Sequence, residues 1–154
     1  MRLYLVQHGE AKSKEEDPDR GLTDKGIRDV EKVAVALKSL SLRIDSLWHS
    51  GKTRVRHTAE ILHPSIASSC ELIERDGLSP NDPVGDMKQV IEEGGADIMI
   101  VGHLPFLNRL SALLVIADEN SDVVIFQNGG ILCLEYREID NWSIAWMIVP
   151  EVLE

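Results

Sequence analysis

An α/β fold with one mostly parallel central sheet and helices on both faces is predicted by three observations. Short, nearly all-apolar runs recur along the chain, helical periodicities lie between them, and two of the runs end in glycine and histidine. At 154 residues the chain suits a single domain spanning residues 1–154, and no repeat, low-complexity tract or linker divides it. Composition agrees with a globular protein, at 44% hydrophobic and 27% charged residues.

Residues 2–7 have almost no solvent-tolerant side chain, as expected of a strand covered on both faces. Thr23 can cap a helix running to about Leu40, with Ile27, Val30, Ala34 and Leu37 at three- and four-residue steps. Arg43 to Trp48 reads as a second strand, and Lys52 to Leu62 as a helix that Pro64 stops. Glu71 to Ile73 suggests a short strand, Gly77 to Asp86 a loop, and Met87 to Glu93 a helix. Asp97 to Gly102 repeats the opening pattern. Pro105 then suits the first turn of a helix reaching about Val115. From Val123 to Val149, turns at Asn128-Gly129-Gly130 and Asp140-Asn141 separate three β-rich runs.

Charge and cysteine usage narrow the function. Sixteen Lys+Arg against 26 Asp+Glu leave a net charge of -10, which disfavours nucleic acid as a partner while leaving room for a locally basic anion pocket. No run approaches the roughly twenty apolar residues of a membrane span, and Met1 leads straight into a strand pattern, so a cytoplasmic protein is expected. Cys70 and Cys133 lack any paired spacing and read as two buried thiols. His57 and His63, six residues apart, do not share a helix face, so His49, His57 and His63 read as structural and no metal is expected.

His8 and His103 stand at the carboxyl ends of their strands, where ligands bind in open α/β sheets. Four motifs accompany them in order: QHGEA at 7–11, RGLTDKG at 20–26, Ser50-x-x-x-Arg54-x-x-x-Thr58-Ala59, and VGHLPFL at 101–107. Together they resemble the histidine phosphatase superfamily, with its phosphoglycerate mutase-like fold, and look most like its SixA-type phosphohistidine phosphatases.

The resemblance spans residues 1 to about 115 and implies a hydrolase with no cofactor. His8 would attack phosphorus and become transiently phosphorylated, and water would release phosphate. Arg54 corresponds to the phosphate-clamping arginine. His103 corresponds to the second pocket histidine, which if protonated donates a hydrogen bond and a charge. Gln7 stands where the family motif begins with arginine, a loss of about 1 to 3 kcal/mol of phosphate binding unless Arg20 or Lys52 reaches the pocket. Glu10 and Asp82, with Asp86 behind them, are the candidate general acids.

The expected substrate is a phosphohistidine on a partner protein, as in signal transduction, because the chain lacks room for the insertions that lid a small-molecule site. A small phosphate ester is the enzymatic alternative. A phosphate-binding regulatory module weakened by Gln7 is the alternative from another class.

Overall fold

The computed structural model describes residues 1–154. In chain order the elements are β1 (Arg2–Gln7), α1 (Asp24–Leu40), β2 (Ser46–His49), α2 (Thr53–Leu62), β3 (Glu71–Glu74), α3 (Val84–Gly94), β4 (Ile98–Gly102), α4 (Phe106–Ile116), β5 (Ile131–Arg137) and β6 (Asn141–Ile148). Six strands make one sheet in the order β3-β2-β4-β1-β5-β6. The first four strands in that order run parallel, β5 is antiparallel to β1, and β6 is antiparallel to β5. No helix is long and apolar enough to cross a membrane.

The composition of β1 follows from its place in the sheet. Leu3 and Leu5 pack into the layer that contains Met87 and Ile91 of α3 and Phe106 and Leu107 of α4. Tyr4 and Val6 pack into the opposite layer with Val30 and Leu37 of α1 and Val55 and Leu62 of α2. All four are at most 2% exposed, so neither face of β1 is wet.

Thr23 caps α1, its Oγ1 accepting from the Gly26 N–H at 2.9 Å. The buried stripe is Val30, Val33 and Leu37, with Ile27 and Ala34 flanking it, a small rotation from the expected face. Four boundaries differ from the sequence reading, each because a tertiary contact replaces a ladder bond or a propensity. β2 begins at Ser46 because Ile44 spends its N–H and C=O on Ser68 Oγ, at 2.9 and 2.8 Å. α3 begins at Val84, behind Pro83, because Val84 is drawn into the core. Pro105 precedes α4 as its N-cap residue.

The fourth difference is larger. Val123 to Phe126 is not a strand and has no regular secondary structure. Val124 and Phe126 pack against the core while Ile125 is 86% exposed. The position beside β1 is already filled by β5, so side-chain anchors hold this segment instead of a ladder. Cys133 is buried as expected, whereas Cys70 is only half-buried.

Parallel register places the site. Gln7 lies opposite Gly102 and His49 opposite Val101, so β1, β4 and β2 end side by side. The residues that follow them share one edge.

Candidate active site

His8 leaves β1 with its N–H donating to the Gly102 carbonyl at 3.1 Å, which keeps it beside the end of β4. Its ring meets that of His103 edge-on, with centroids 5.5 Å apart. His8 Nδ1 lies 2.7 Å from the Gly9 carbonyl oxygen. A carbonyl only accepts, so Nδ1 carries the proton and the neutral ring leaves its Nε2 lone pair free. That nitrogen is the nucleophile the geometry offers.

Gly9 and Thr58 hold the turn behind the ring. The Gly9 N–H donates to Thr58 Oγ1 at 3.0 Å, and the Thr58 hydroxyl donates to the Arg54 carbonyl at 2.8 Å. A Cβ on Gly9 would meet Val30 Cγ2 at 2.9 Å, so only glycine lets the chain pass this close to α1. Thr58 and Ser50 appear in the sequence motif, but their roles as struts depend on partners the motif does not name.

Arg54 sits in the first turn of α2 and donates from Nη2 to His103 Nδ1 at 3.4 Å. His103 Nδ1 is therefore an acceptor, and its Nε2 faces the Ser50 hydroxyl at 2.9 Å. His103 is only 2% exposed, and burial, helped by the charges of Arg54 and His8, pushes its pKa down to about 3. Without a bound anion it is thus neutral, and the charge anticipated for a protonated ring is absent from the free protein. A phosphoryl dianion beside it would oppose that shift. Burial and Arg20 likewise lower the pKa of Arg54.

Of the remaining anticipated residues, none has its side chain committed to the His8–His103 pair. Gln7 Nε2 donates to Asn128 Oδ1 at 2.8 Å, across 121 residues of chain, and Gln7 Oε1 is buried without a partner. Glu10 Oε2 accepts from the Thr23 hydroxyl at 2.6 Å and lines a cavity of about 400 Å³ with Lys25, Asp29 and Lys32. Asp82 accepts from the Ser79 N–H at 2.9 Å within its own loop, and Asp86 is exposed in the first turn of α3. His49 accepts from the Gly51 N–H and His63 faces the Cys70 carbonyl. No three His, Cys, Asp or Glu side chains converge as a metal site would require.

An imidazole is nucleophilic only when neutral, and the pKa of His8 lies below the ordinary 6.5 because of burial, opposed by the Gly9 carbonyl and assisted by Arg54 and Arg20. A depressed value keeps the ring deprotonated at lower pH. The kcat/KM profile is therefore expected to stay level on acidification to about pH 6.5 and to fall only below it. A pH series with an aryl phosphate checks this, and an acid limb centred above 7 would contradict it.

The family model of the histidine phosphatase superfamily, branch 1, matches residues 3–80. An uncharacterized protein of Picosynechococcus sp. is 33% identical over 123 residues, covering 71% of this chain and 70% of that protein. The chain belongs to the histidine phosphatase superfamily.

Among particular members, the phosphohistidine phosphatase SixA of Escherichia coli K12 is 25% identical over 97% of this chain and 94% of its own. A solved structure of the protein histidine phosphatase SixA complexed with tungstate superposes with a TM-score of 0.81 at 25% identity, over 100% of both chains. A structure of the α-ribazole phosphatase from Shigella flexneri shares the fold at a TM-score of 0.74 and 17% identity, over 97% of both chains.

Proposed function

We propose that this protein is a phosphohistidine phosphatase that works through a phospho-His8 intermediate and uses no metal. The observation that carries the proposal is the free Nε2 of His8, fixed by the 2.7 Å contact of Nδ1 with the Gly9 carbonyl and set beside Arg54 and His103. In the first step His8 Nε2 forms a bond to phosphorus while the bond from phosphorus to the substrate imidazole breaks. The departing ring takes the bonding pair, and with its other nitrogen already protonated it leaves as neutral imidazole. In the second step water attacks phosphorus, the bond to His8 breaks with its electron pair returning to Nε2, and the phosphate departs carrying the oxygen and both protons of the water, as dihydrogen phosphate.

Arg54 supplies positive charge for the equatorial oxygens, and positioning with electrostatics is most of what phosphoryl transfer asks of a protein. An imidazole leaving group needs little help from an acid, which suits a site where Glu10 and Asp82 are engaged elsewhere. None of the cavities is lined by His8, Arg54 or His103, and a site with no enclosing cavity suits a protruding phosphorylated side chain on a partner protein. The two largest cavities, about 520 and 400 Å³, lie respectively around His63 and Cys70 and around Lys25 and Asp29, and neither is lined by His8. The 25% identity to SixA over nearly the whole chain points to the same substrate class.

Assay of a phosphohistidine peptide beside a panel of sugar phosphates tests the reading. Multiple turnovers on the peptide are expected, with slower release from the esters. A preference for an ester would assign a small-molecule phosphatase, and release that stops at one equivalent would assign a binding module. Dialysis against a strong chelator should leave the rate unchanged, since Arg54 provides the charge. A loss restored by zinc, magnesium or manganese would overturn the metal-free assignment.

A further inference from the structure

Gln7 brings no charge to the end of β1, and its one side-chain hydrogen bond is the one its Nε2 donates to Asn128 Oδ1. Its backbone is tied to the same turn, the N–H donating to the Gly130 carbonyl at 3.3 Å and the C=O accepting from the Gly129 N–H at 2.9 Å. We infer that the positive charge absent at position 7 is delivered by Arg20, which binds the phosphoryl oxygens together with Arg54, while Gln7 serves as a latch for the 128–130 turn. The inference rests on the reading that phosphate docks beside His8.

The chain between β1 and α1 is a closed excursion that returns to the His8 turn. Ala11 bridges Leu22, the Lys12 N–H donates to the Gly21 carbonyl at 2.8 Å, and the Thr23 N–H donates to the Glu10 carbonyl at 2.9 Å. Arg20 lies at the returning end with φ +52, a left-handed conformation uncommon for a residue with a Cβ. Asp17 holds that bend. Its carbonyl accepts from the Arg20 N–H at 2.9 Å, and its carboxylate accepts from the Gly21 N–H at 2.9 Å and the Asp19 N–H at 3.0 Å.

The side chain is held as well as placed. Arg20 Nε donates to the Lys12 carbonyl at 3.0 Å, which fixes the plane of the guanidinium and leaves the Nη groups without a protein partner. Neither Arg20 nor Arg54 is in any ion pair, although acidic residues outnumber basic ones by 26 to 16. Burial is the main cause that lowers the pKa of His8, Arg54 and His103, and the charge of Arg20 adds to it at all three. The charge of Arg20 acts against that of Arg54, neither is neutralised by a carboxylate, and an anion bound by both removes that cost. The phosphoryl group is the anion that the proposed chemistry brings there.

The test measures binding of inorganic phosphate by calorimetry, which needs no turnover, and kcat/KM with an aryl phosphate, on the full chain. Arg20→Gln should weaken phosphate binding at least tenfold and move the acid limb of kcat/KM to higher pH, because a cation facing His8 is gone. Its melting temperature should match the parent's. Arg20→Lys should retain part of the affinity. Gln7→Arg should tighten binding about tenfold, and in the Gln7→Arg/Arg20→Gln double variant it should restore most of what Arg20→Gln lost.

If Arg54→Gln abolishes phosphate binding while Arg20→Gln changes neither affinity nor the acid limb, the assignment of Arg20 is wrong and the phosphatase reading stands. If the parent protein binds no phosphate, or Arg54→Gln also leaves binding intact, both fall together. An Arg20→Gln protein that loses affinity and that Gln7→Arg fails to rescue would leave Arg20 outside the role proposed for it, that of replacing the motif arginine.

Discussion

His8→Ala is expected to lower turnover by about four orders of magnitude, the scale seen when a covalent nucleophile is removed from a site whose remaining groups still bind substrate. The fold should survive. His8 lies one residue beyond β1, is only half-buried, and contributes one ring contact to His103 and one hydrogen bond to Gly9. Rapid quenching of the parent protein with labelled substrate should trap label that is lost in acid and kept in base, as for a phosphoramidate, and peptide mapping should place it on His8. Label on His103, or a His8→Ala protein with more than a hundredth of the parent rate, would exclude the mechanism. His103→Ala separates the two rings: it removes the neighbour that Ser50 and Arg54 orient, but leaves a nucleophile that can still be labelled.

Gly26→Ala is expected to be the most damaging small change away from the reacting atoms. In an exposed helix the substitution usually gains about 1 kcal/mol. Here the new Cβ would stand 2.3 Å from the Glu10 carbonyl oxygen and 3.0 Å from its nitrogen. Both are backbone atoms, so no rotamer relieves the clash. Either α1 moves off the 8–11 turn, separating Val30 from the core, or the turn moves off α1, carrying Gly9 and His8 with it. Overpacking of this kind costs about 3 kcal/mol, which lowers the melting temperature by roughly 6 to 12 °C in a chain of this length.

The same displacement should cut kcat/KM by at least tenfold, since an error of about 1 Å in a nucleophile's position costs that much or more. Gly85→Ala is the control. Nothing lies within 4 Å of its Cβ position in α3, so stability should be unchanged or a few tenths of a kcal/mol higher. Equal melting temperatures for Gly26→Ala and the parent would show that the turn is not pinned by α1.

The residues at the His8 edge show how far local sequence reaches. The unbroken apolar run of β1 requires cover on two faces, and the same run in β4 requires a parallel neighbour of the same kind. Those two patterns put His8 and His103 at one edge, because register is set by burial and a slip of one residue would turn every core side chain outward. Thr23 announced the start of α1 through its own side chain, and the four-residue step from Arg54 to Thr58 put both on one face of α2. Each of these signals is carried within a few residues.

Other features arise only when distant segments meet. Val123 to Phe126 has strand composition, yet β5 occupies the place beside β1, and propensity has no means of counting strands. Gln7 carried a missing charge in its identity, but its partner Asn128 is 121 residues away. Glu10 is two residues from His8 and turns to the Thr23 hydroxyl.

The sequence by itself determined the layers, the edge where the site lies, and the trio His8, Arg54 and His103 that the motifs point to. Tertiary structure alone decided which nitrogen of His8 is free, why His103 is neutral, and which cation faces them. A hydrogen-bond partner and a local dielectric belong to the neighbours that packing brings together, and those neighbours come from every part of the chain.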